Sequence, residues 1–438
     1  MKLPENVKYI ISKLEKAGYE GYAVGGCVRD TILSKQPDDW DITTSASPLQ
    51  VKALFPRTID TGIQHGTITV LIDKTGYEVT TYRIDGEYED SRHPKEVIFT
   101  SDLLEDLKRR DFTINAMAYN DRTGMVDEFG GIKDLEAGVI RCVGNPKERF
   151  TEDALRIMRA VRFSAQLGYK IEENTQKAIA ELSPNLQNIS VERINTELTK
   201  LLLSSHPDYL RDAYTMGITS VVMPEFDQIM EMPQNNPHHC YNVGEHTLHA
   251  LTKVSSDKIL RFAVLFHDFG KAQTKTTDED GVDHFYGHAE VSAELTDRIM
   301  KRLRFDNDTM HKVIKLVKYH DNKIETTPEA VRRAVAKLGE ELFPLLLDIK
   351  QADFMAQSEY KRQEKEENLN SIRSLYEQMK QKKECVSLKT LAVNGNDLIQ
   401  NGMKPGKEIG DQLAVLLDIV LKDPEKNNKE YLLSIIRK

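Results

Sequence analysis

Asp38-Asp39-Trp40-Asp41-Ile42-Thr43-Thr44, set shortly after Gly25-Gly26-Cys27-Val28-Arg29-Asp30, is the stretch on which the fold of this chain turns. A strand over residues 39 to 43 has a side-chain period of two, so Asp39 and Asp41 share one face and Trp40 turns away. Two carboxylates aimed at one point suit a hard cation. Mg2+ takes oxygen ligands and is commonly held by one or two carboxylates together with substrate phosphates. The glycine pair upstream, Gly26 included, lets backbone N–H groups approach such phosphates, and Arg29 adds a forked cation. An isolated Asp-x-Asp is more often a solvated turn; the preceding Gly-Gly-x-x-Arg-Asp argues against that here.

Outward from this stretch the elements follow a pattern. Val7, Ile10, Ile11 and Leu14 recur at helical spacing over residues 4–18, and Tyr22-Ala23-Val24 reads as a strand running into the glycine turn. Ser47-Pro48, with Val51, Leu54 and Phe55, predicts a short helix capped by Ser47. Ile68–Ile72 and Tyr77–Tyr82 read as a hairpin around residues 73–76, with Glu78 on its second strand as a candidate third carboxylate. Arg83 to Pro94 is polar, contains Gly and Pro and has no apolar period, so it reads as a loop. A helix is expected to start within Arg110-Asp111-Phe112-Thr113-Ile114-Asn115, placing its donors near a phosphate or ribose. Asp127-Glu128-Phe129-Gly130-Gly131 reads as a closing turn.

From Glu152 the pattern becomes helical, and Asp153, Arg156 and Arg159 follow one another at intervals of three, on one face. Cytosine and adenine both present an amino donor beside a ring-nitrogen acceptor, and uracil and guanine reverse this order. A carboxylate that accepts and a guanidinium that donates match the first two bases and repel the others.

These blocks resemble the head of the polymerase-β-like nucleotidyltransferases, in the class II branch that holds tRNA CCA-adding enzymes and bacterial poly(A) polymerases. The resemblance rests on Gly25 to Thr44, then Arg109-Arg110-Asp111-Phe112-Thr113-Ile114-Asn115-Ala116-Met117, then Glu152-Asp153-Ala154-Leu155-Arg156 with Arg159-Ala160-Val161-Arg162-Phe163. It implies Mg2+ on Asp39 and Asp41, with Glu78 as an acid on a neighbouring strand. It also implies a nucleotide lined by Gly26, Arg29, Arg110, Asp111 and Asn115, and a base-selecting helix carrying Asp153, Arg156, Arg159 and Arg162. The loop from Arg83 to Pro94 is similar to the flexible loop that full CCA-adding enzymes carry. Val191-Glu192-Arg193-Ile194 resembles a neck segment in which Glu192 and Arg193 serve helix packing.

After Pro233-Gln234-Asn235-Asn236-Pro237 the character changes. Among only 12 histidines, His246, His267-Asp268, His288 and His320-Asp321 recur at wide intervals, followed by Asp353. Neutral imidazoles and carboxylates suit Mn, Fe, Ni, Zn or Mg. The set resembles the HD superfamily of metal-dependent phosphohydrolases, which implies one divalent ion on His246, His267, Asp268 and Asp353, a transition metal or Mg2+, and a second on His288 and His320. Residues 356–384 read as a charged, solvated helix, and the segment from Val386 as a small helical unit.

At 438 residues the chain exceeds a single core, so several domains are expected. The expected fold is α+β: a nucleotidyltransferase head with a small mixed sheet at 1–140, an all-α neck at 141–222, an HD domain at 223–384 and a helical tail at 385–438. Four separated cysteines without a C-x-x-C pair argue against a disulfide framework or a cysteine zinc site. No apolar run reaches a membrane span and the start lacks a signal-peptide core, which gives a cytoplasmic expectation without a membrane partner. The net charge of -9 does not decide on an RNA partner, since binding needs only a local basic surface. The functional expectation is addition of C, C and A to tRNA 3' ends from CTP and ATP, with a second phosphohydrolase site. Addition of the final A alone and poly(A) synthesis stay open, as does a degenerate RNA-binding head beside a working HD half.

Overall fold

The computed structural model describes residues 1–85 and 97–436. The chain divides into two compact units, Met1–Pro224 and Glu225–Lys438.

Among the described elements of the first unit are nine strands and nine helices that build the sheet and carry the site. The strands are β1 (Gly21–Val24), β2 (Ile42–Thr44), β3 (Thr58–Gly62), β4 (Thr67–Ile72), β5 (Thr75–Thr81), β6 (Arg83–Asp85), β7 (Val97–Phe99), β8 (Ala118–Asn120) and β9 (Gly124–Val126). Seven of them form one mixed sheet in the order β3-β4-β5-β2-β1-β8-β9. β1 runs antiparallel to β2, with Ala23 opposite Ile42, and β2 runs parallel to β5, with Ile42 opposite Val79. Val24, Ile42 and Val79 are buried in the middle of this sheet. The helix α1 (Glu5–Lys16) buries Val7, Ile10, Ile11 and Leu14, the expected stripe. After it come α2 (Gly26–Ile32) and α3 (Pro48–Leu54). Ser47 caps α3 in a reciprocal pair with Gln50, and Pro48 supplies the fixed φ of its first turn. α4 (Leu103–Lys108) and α5 (Gly131–Ala137) complete the sheet-bearing part. α6 (Pro146–Glu152), α7 (Leu155–Leu167), α8 (Glu173–Leu182) and α9 (Val191–Leu202) make the helical part.

Several sequence expectations need correction. The acid stretch is not all strand: β2 begins only at Ile42, and Asp39 and Asp41 lie on the segment leading into it. Val24 N–H still donates to the Asp41 carbonyl at 3.0 Å, so the ladder reaches one residue further than the strand. The expected helix at 110–115 is a single 3-10 turn, Thr113–Asn115, because the chain must enter β8 two residues later. The hairpin β4–β5 closes on two residues, Asp73 and Lys74, both at positive φ, which is tighter than the turn expected at 73–76. Of the expected loop at 83–94, residues 83–85 are strand paired with β7, with Arg83 opposite Phe99, and residues 86–94 lie outside the described residues. The helix expected from Glu152 is broken: Asp153 sits in extended conformation between α6 and α7.

The second unit is helical, with one short strand pair, Thr276–Thr277 against Asp283–His284, among the described residues. Phe262, Phe266 and Phe269 stack or meet edge to face at its centre. The helix Arg362–Gln381 falls in the stretch expected to be a charged, solvated helix; most of it is exposed, while Leu369, Ile372, Tyr376 and Met379 pack one face inward. Leu398, Leu416, Val420 and Leu432 form a separate small core near the end of the chain. Arg332 donates to the carbonyls of Leu421 and Lys422 at 2.6 and 3.1 Å, tying those last helices to the helix Pro328–Leu338. Among the described residues no helix is long and apolar enough to cross a membrane.

Candidate functional sites

The first site forms where β1 ends. Gly25 takes φ +81°, a conformation side chains rarely adopt, and turns the chain into α2. Its N–H donates to the Met117 carbonyl at 3.1 Å, and a Cβ there would stand 3.1 Å from an Arg110 Nη atom. Gly25 therefore lets Arg110 lie against the turn. Arg110 is held from below by Asp106, buried in α4, at 3.3 Å, and Arg109 reaches the same carboxylate at 2.7 Å. Burial alone would raise Asp106, but the Arg110 and Arg109 guanidiniums keep it lowered, so it stays a charged anchor.

A cavity of about 480 Å3 opens over this turn. Gly26, Arg29, Asp39, Asp41, Arg110, Asp111, Asn115, Asp153, Arg156, Arg159 and Arg162 all line it. The structure thus brings together every nucleotide-type candidate named from the sequence. Glu78 is the exception: it stands on the exposed part of β5 and does not line the cavity, although it acts electrostatically on Asp41. Burial, then the neighbouring Asp39 charge, pushes Asp41 up to about 6, with Arg110 opposing and Glu78 adding to the rise. Carboxylates in mutual repulsion at a cavity wall are what a divalent cation relieves, so Asp39 and Asp41 fit Mg2+ by charge and by ligand type.

The walls are tied by a chain of charged hydrogen bonds. Arg29 donates to Asn115 Oδ1 at 2.8 Å and to the Asp30 carboxylate. Asn115 donates to Asp111 at 3.2 Å, and Asp111 also receives Arg159 at 2.6 Å. Burial would raise Asp111, but Arg159 and the hydrogen bonds hold it at about 2. Arg162 pairs with buried Glu197 at 2.8 Å and lies over the Phe163 ring, 3.5 Å from its centroid. Asp153 and Arg156 face this same cavity from different elements, the joint and α7. Arg156 donates to Glu152 and to the carbonyls of Arg149 and Arg109. Asp153 caps α7 through Leu155 N–H and receives Arg193 at 2.8 Å. Arg193 lines the cavity, so its expected role in helix packing is incomplete. Nothing in its local sequence marked this, because the contact with Asp153 spans 40 residues.

The second site lies in the second unit. His246 comes from the helix Val243–Leu251, His267 and Asp268 from the end of Lys258–Phe266, His288 from the start of His288–Arg302, His320 from the end of Asn307–Tyr319, and Asp353 from Leu342–Met355. Gly270 explains how the His-Asp turn comes close: a Cβ there would stand 2.3 Å from the His288 carbonyl oxygen and 2.6 Å from Ser292 N. Only glycine permits that approach. His246, His267, Asp268 and Asp353 offer ligand atoms within 4.8 Å of one another, and so do Asp268, His288 and His320. Asp268 belongs to both sets. Its Oδ2 faces His267 at 3.2 Å and its Oδ1 faces His288 at 3.4 Å.

The Nδ1 atoms of His267, His288 and His320 lie 2.6, 2.9 and 2.7 Å from the carbonyls of Val264, Phe285 and Val317. Donation there fixes the tautomer that leaves each Nε2 lone pair toward Asp268. His267 Nε2 and Asp268 Oδ2 are buried and lack any hydrogen bond of good geometry, despite their short separation and Lys271 at 2.7 Å from the oxygen. Two lone-pair atoms left facing each other in this way fit a shared divalent cation. A cavity of about 310 Å3 reaches Asp268, His288, His320 and Asp353. His239, not singled out from the sequence, also lines it, with Nδ1 buried and without a hydrogen-bond partner. Burial, then Lys271, pushes His239 down to about 3.

Comparison with known proteins now bears on both units. Residues 21–141 match the family described as "Poly A polymerase head domain". This segment is similar to the poly A polymerase head. Beyond the head, residues 168–230 match "Probable RNA and SrmB- binding site of polymerase A", and residues 274–436 match a family described as domain 2 of tRNA nucleotidyltransferase. The CCA-adding enzyme of Leuconostoc mesenteroides is 58% identical over 196 residues, 45% of this chain and 49% of the relative. That of Lactiplantibacillus plantarum is 55% identical over 200 residues, 46% and 49% of the two chains. The chain therefore spans about half the length of these curated relatives. The crystal structure of the Bacillus stearothermophilus CCA-adding enzyme in complex with CTP superimposes with a TM-score of 0.74 at 28% identity, covering 100% of this chain and 98% of that one. Both the head and the helices that follow it thus have counterparts in one solved chain.

Proposed function

We propose that this chain adds C, C and A to the 3' ends of tRNA from CTP and ATP. The observation that carries this reading is that Asp39 and Asp41 open into the same cavity as Asp153 and Arg156. It is supported by the head match, by relatives named CCA-adding enzymes and by the likeness to a CTP-bound structure.

Asp39 and Asp41 would hold Mg2+, whose charge lowers the cost of ionising the attacking 3'-hydroxyl and of releasing pyrophosphate. Arg29 and Arg110 would hold the triphosphate, since both line the cavity beside the Gly25 turn. Asp111 and Asn115 keep Arg29 and Arg159 in place, and Asn115 has a side chain able to meet a ribose hydroxyl. Asp153 accepts the exocyclic amine of C or A and Arg156 donates to the ring nitrogen beside it. Both residues spend part of their hydrogen-bonding capacity on the protein, which fixes their planes before the base arrives. Residues 168–230 and the helices beyond contribute tRNA contact. Extension of a tRNA lacking CCA and of one ending in CC tests the proposal: growth by CCA on the first and by A alone on the second agrees with it. Long A tracts would instead indicate a poly(A) polymerase, and A added only to the second substrate an A-adding enzyme.

A second activity is favoured by one specific observation, the doubly shared Asp268. His246, His267, Asp268 and Asp353 would hold one divalent ion and His288 and His320 a second, giving an HD-type phosphohydrolase in which bound metal makes water nucleophilic at neutral pH. Lys271, whose Nζ lies 2.7 Å from Asp268, would hold the phosphate. Release of phosphate from phosphoesters in the presence of Mn2+ or Ni2+, lost in His267→Ala, is the expected result. No hydrolysis with any divalent metal would leave this cluster as scaffold.

A further inference from the structure

Next to the cavity that reaches the His-Asp cluster lies a larger one of about 650 Å3. The two share Asp321, Asp353 and Gln357 as a common wall. That wall is structurally set. Gln357 donates to Asp353 Oδ1 at 3.1 Å and accepts from Lys365 at 2.5 Å, while Lys350 donates to the His320 carbonyl at 2.7 Å. Its apolar lining includes Phe354, Leu369 and Ile372, each less than a tenth exposed. A concave space of this volume with an apolar floor and a few polar groups has the form of a site for an organic ring system. Its charged lining consists of three lysines and four carboxylates, so it offers no net attraction to a second anion.

We propose that this larger cavity seats the organic part of a phosphoester whose phosphate lies on the His-Asp cluster. The inference rests on the phosphohydrolase reading above and narrows it. The substrate is an ester of phosphate with a bulky, uncharged, ring-bearing group, and inorganic pyrophosphate or polyphosphate is excluded. In the reaction, the oxygen of water forms the new bond to phosphorus, the ester P–O bond breaks, and the proton released by water ends on the departing oxygen. The freed alcohol is then left in the apolar cavity, and phosphate on the metal side.

The test is calorimetric titration of the full chain, loaded with Mn2+, with 1-naphthyl phosphate and with inorganic phosphate. Naphthyl phosphate binds at least about tenfold more tightly, the added affinity coming from apolar surface covered by Phe354, Leu369 and Ile372. Asn368→Trp fills the cavity from an exposed lining position and removes that advantage, while Mn2+ and inorganic phosphate bind as before. Equal affinity for the two ligands, or an advantage that survives Asn368→Trp, overturns the inference and leaves the metal centre standing. Failure of the wild-type chain to bind Mn2+ overturns the metal reading and this inference with it.

Discussion

Replacing Asp111 by Asn keeps the shape of the side chain and removes its charge, at a point where four groups meet. Asp111 receives Arg159 at 2.6 Å, Asn115 at 3.2 Å and the Phe112 N–H at 2.8 Å. Its carboxyl is held at about 2 against an ordinary value of 3.8. That lowering corresponds to roughly 2 kcal/mol of stability at neutral pH. The folded value is depressed, so the contribution is fully present above the unfolded value near 4 and is lost as pH falls through the folded value near 2. At pH 3 roughly half of it remains. Trp40 is the single tryptophan and belongs to the first unit, so its fluorescence follows the unfolding of that unit alone. Urea titrations of wild type and Asp111→Asn at pH 7 and pH 3 should therefore show a gap of roughly 2 kcal/mol that shrinks to about half. A gap that is absent at pH 7, or unchanged at pH 3, would refute the assignment of Asp111 as a charged tie.

Three further outcomes follow from the same geometry. Asp41→Asn should cut nucleotide transfer by roughly 10²–10³-fold or more with the fold intact, since a divalent ion loses a charged ligand while Cα geometry is kept; transfer at wild-type rate would place the metal elsewhere. His267→Ala should abolish Mn2+-dependent phosphate release and leave nucleotide addition unchanged, and a joint loss would contradict two independent sites. Arg332→Ala removes a buried guanidinium that donates to Leu421 O, Lys422 O and the Glu384 carboxylate, and should destabilise the end of the chain by roughly 2–4 kcal/mol. Protease should then release a fragment beginning near residue 385, and a digestion pattern equal to wild type would count against this tie.

Much of the first site was legible because its residues sit in short blocks. Gly26, Arg29, Asp39, Asp41, Arg110, Asp111 and Asn115 fall within two stretches, and antiparallel pairing of β1 with β2 and with β8 brings those stretches together. Where local signals competed, tertiary structure decided. Residues 110–115 carry a plausible helix start, yet the sheet takes the chain at Ala118 and leaves room for one turn. Asp153 fits a helical spacing, but as the capping residue of α7 its carboxylate serves Leu155 N–H and its backbone is extended. Asp106 and His239 carry no motif signal, and Arg193 reads from the sequence only as a packing residue. Asp106 lies three and four residues before Arg109 and Arg110, a spacing that signals a helical ion pair; Arg193 and His239 depend on contacts across the chain that no local pattern carries. The six metal-type residues were legible by their rarity, whereas the sharing of Asp268 between two sets appeared only with the fold.

The most direct measurement is single-turnover incorporation of each of the four labelled nucleotides onto a tRNA trimmed to the base preceding CCA. If the carboxylates of Asp39 and Asp41 and the base-reading pair Asp153 and Arg156 work in one cavity, C is added twice and then A, with U and G rejected by about 100-fold or more. Incorporation of UTP or GTP as readily as CTP and ATP would contradict it.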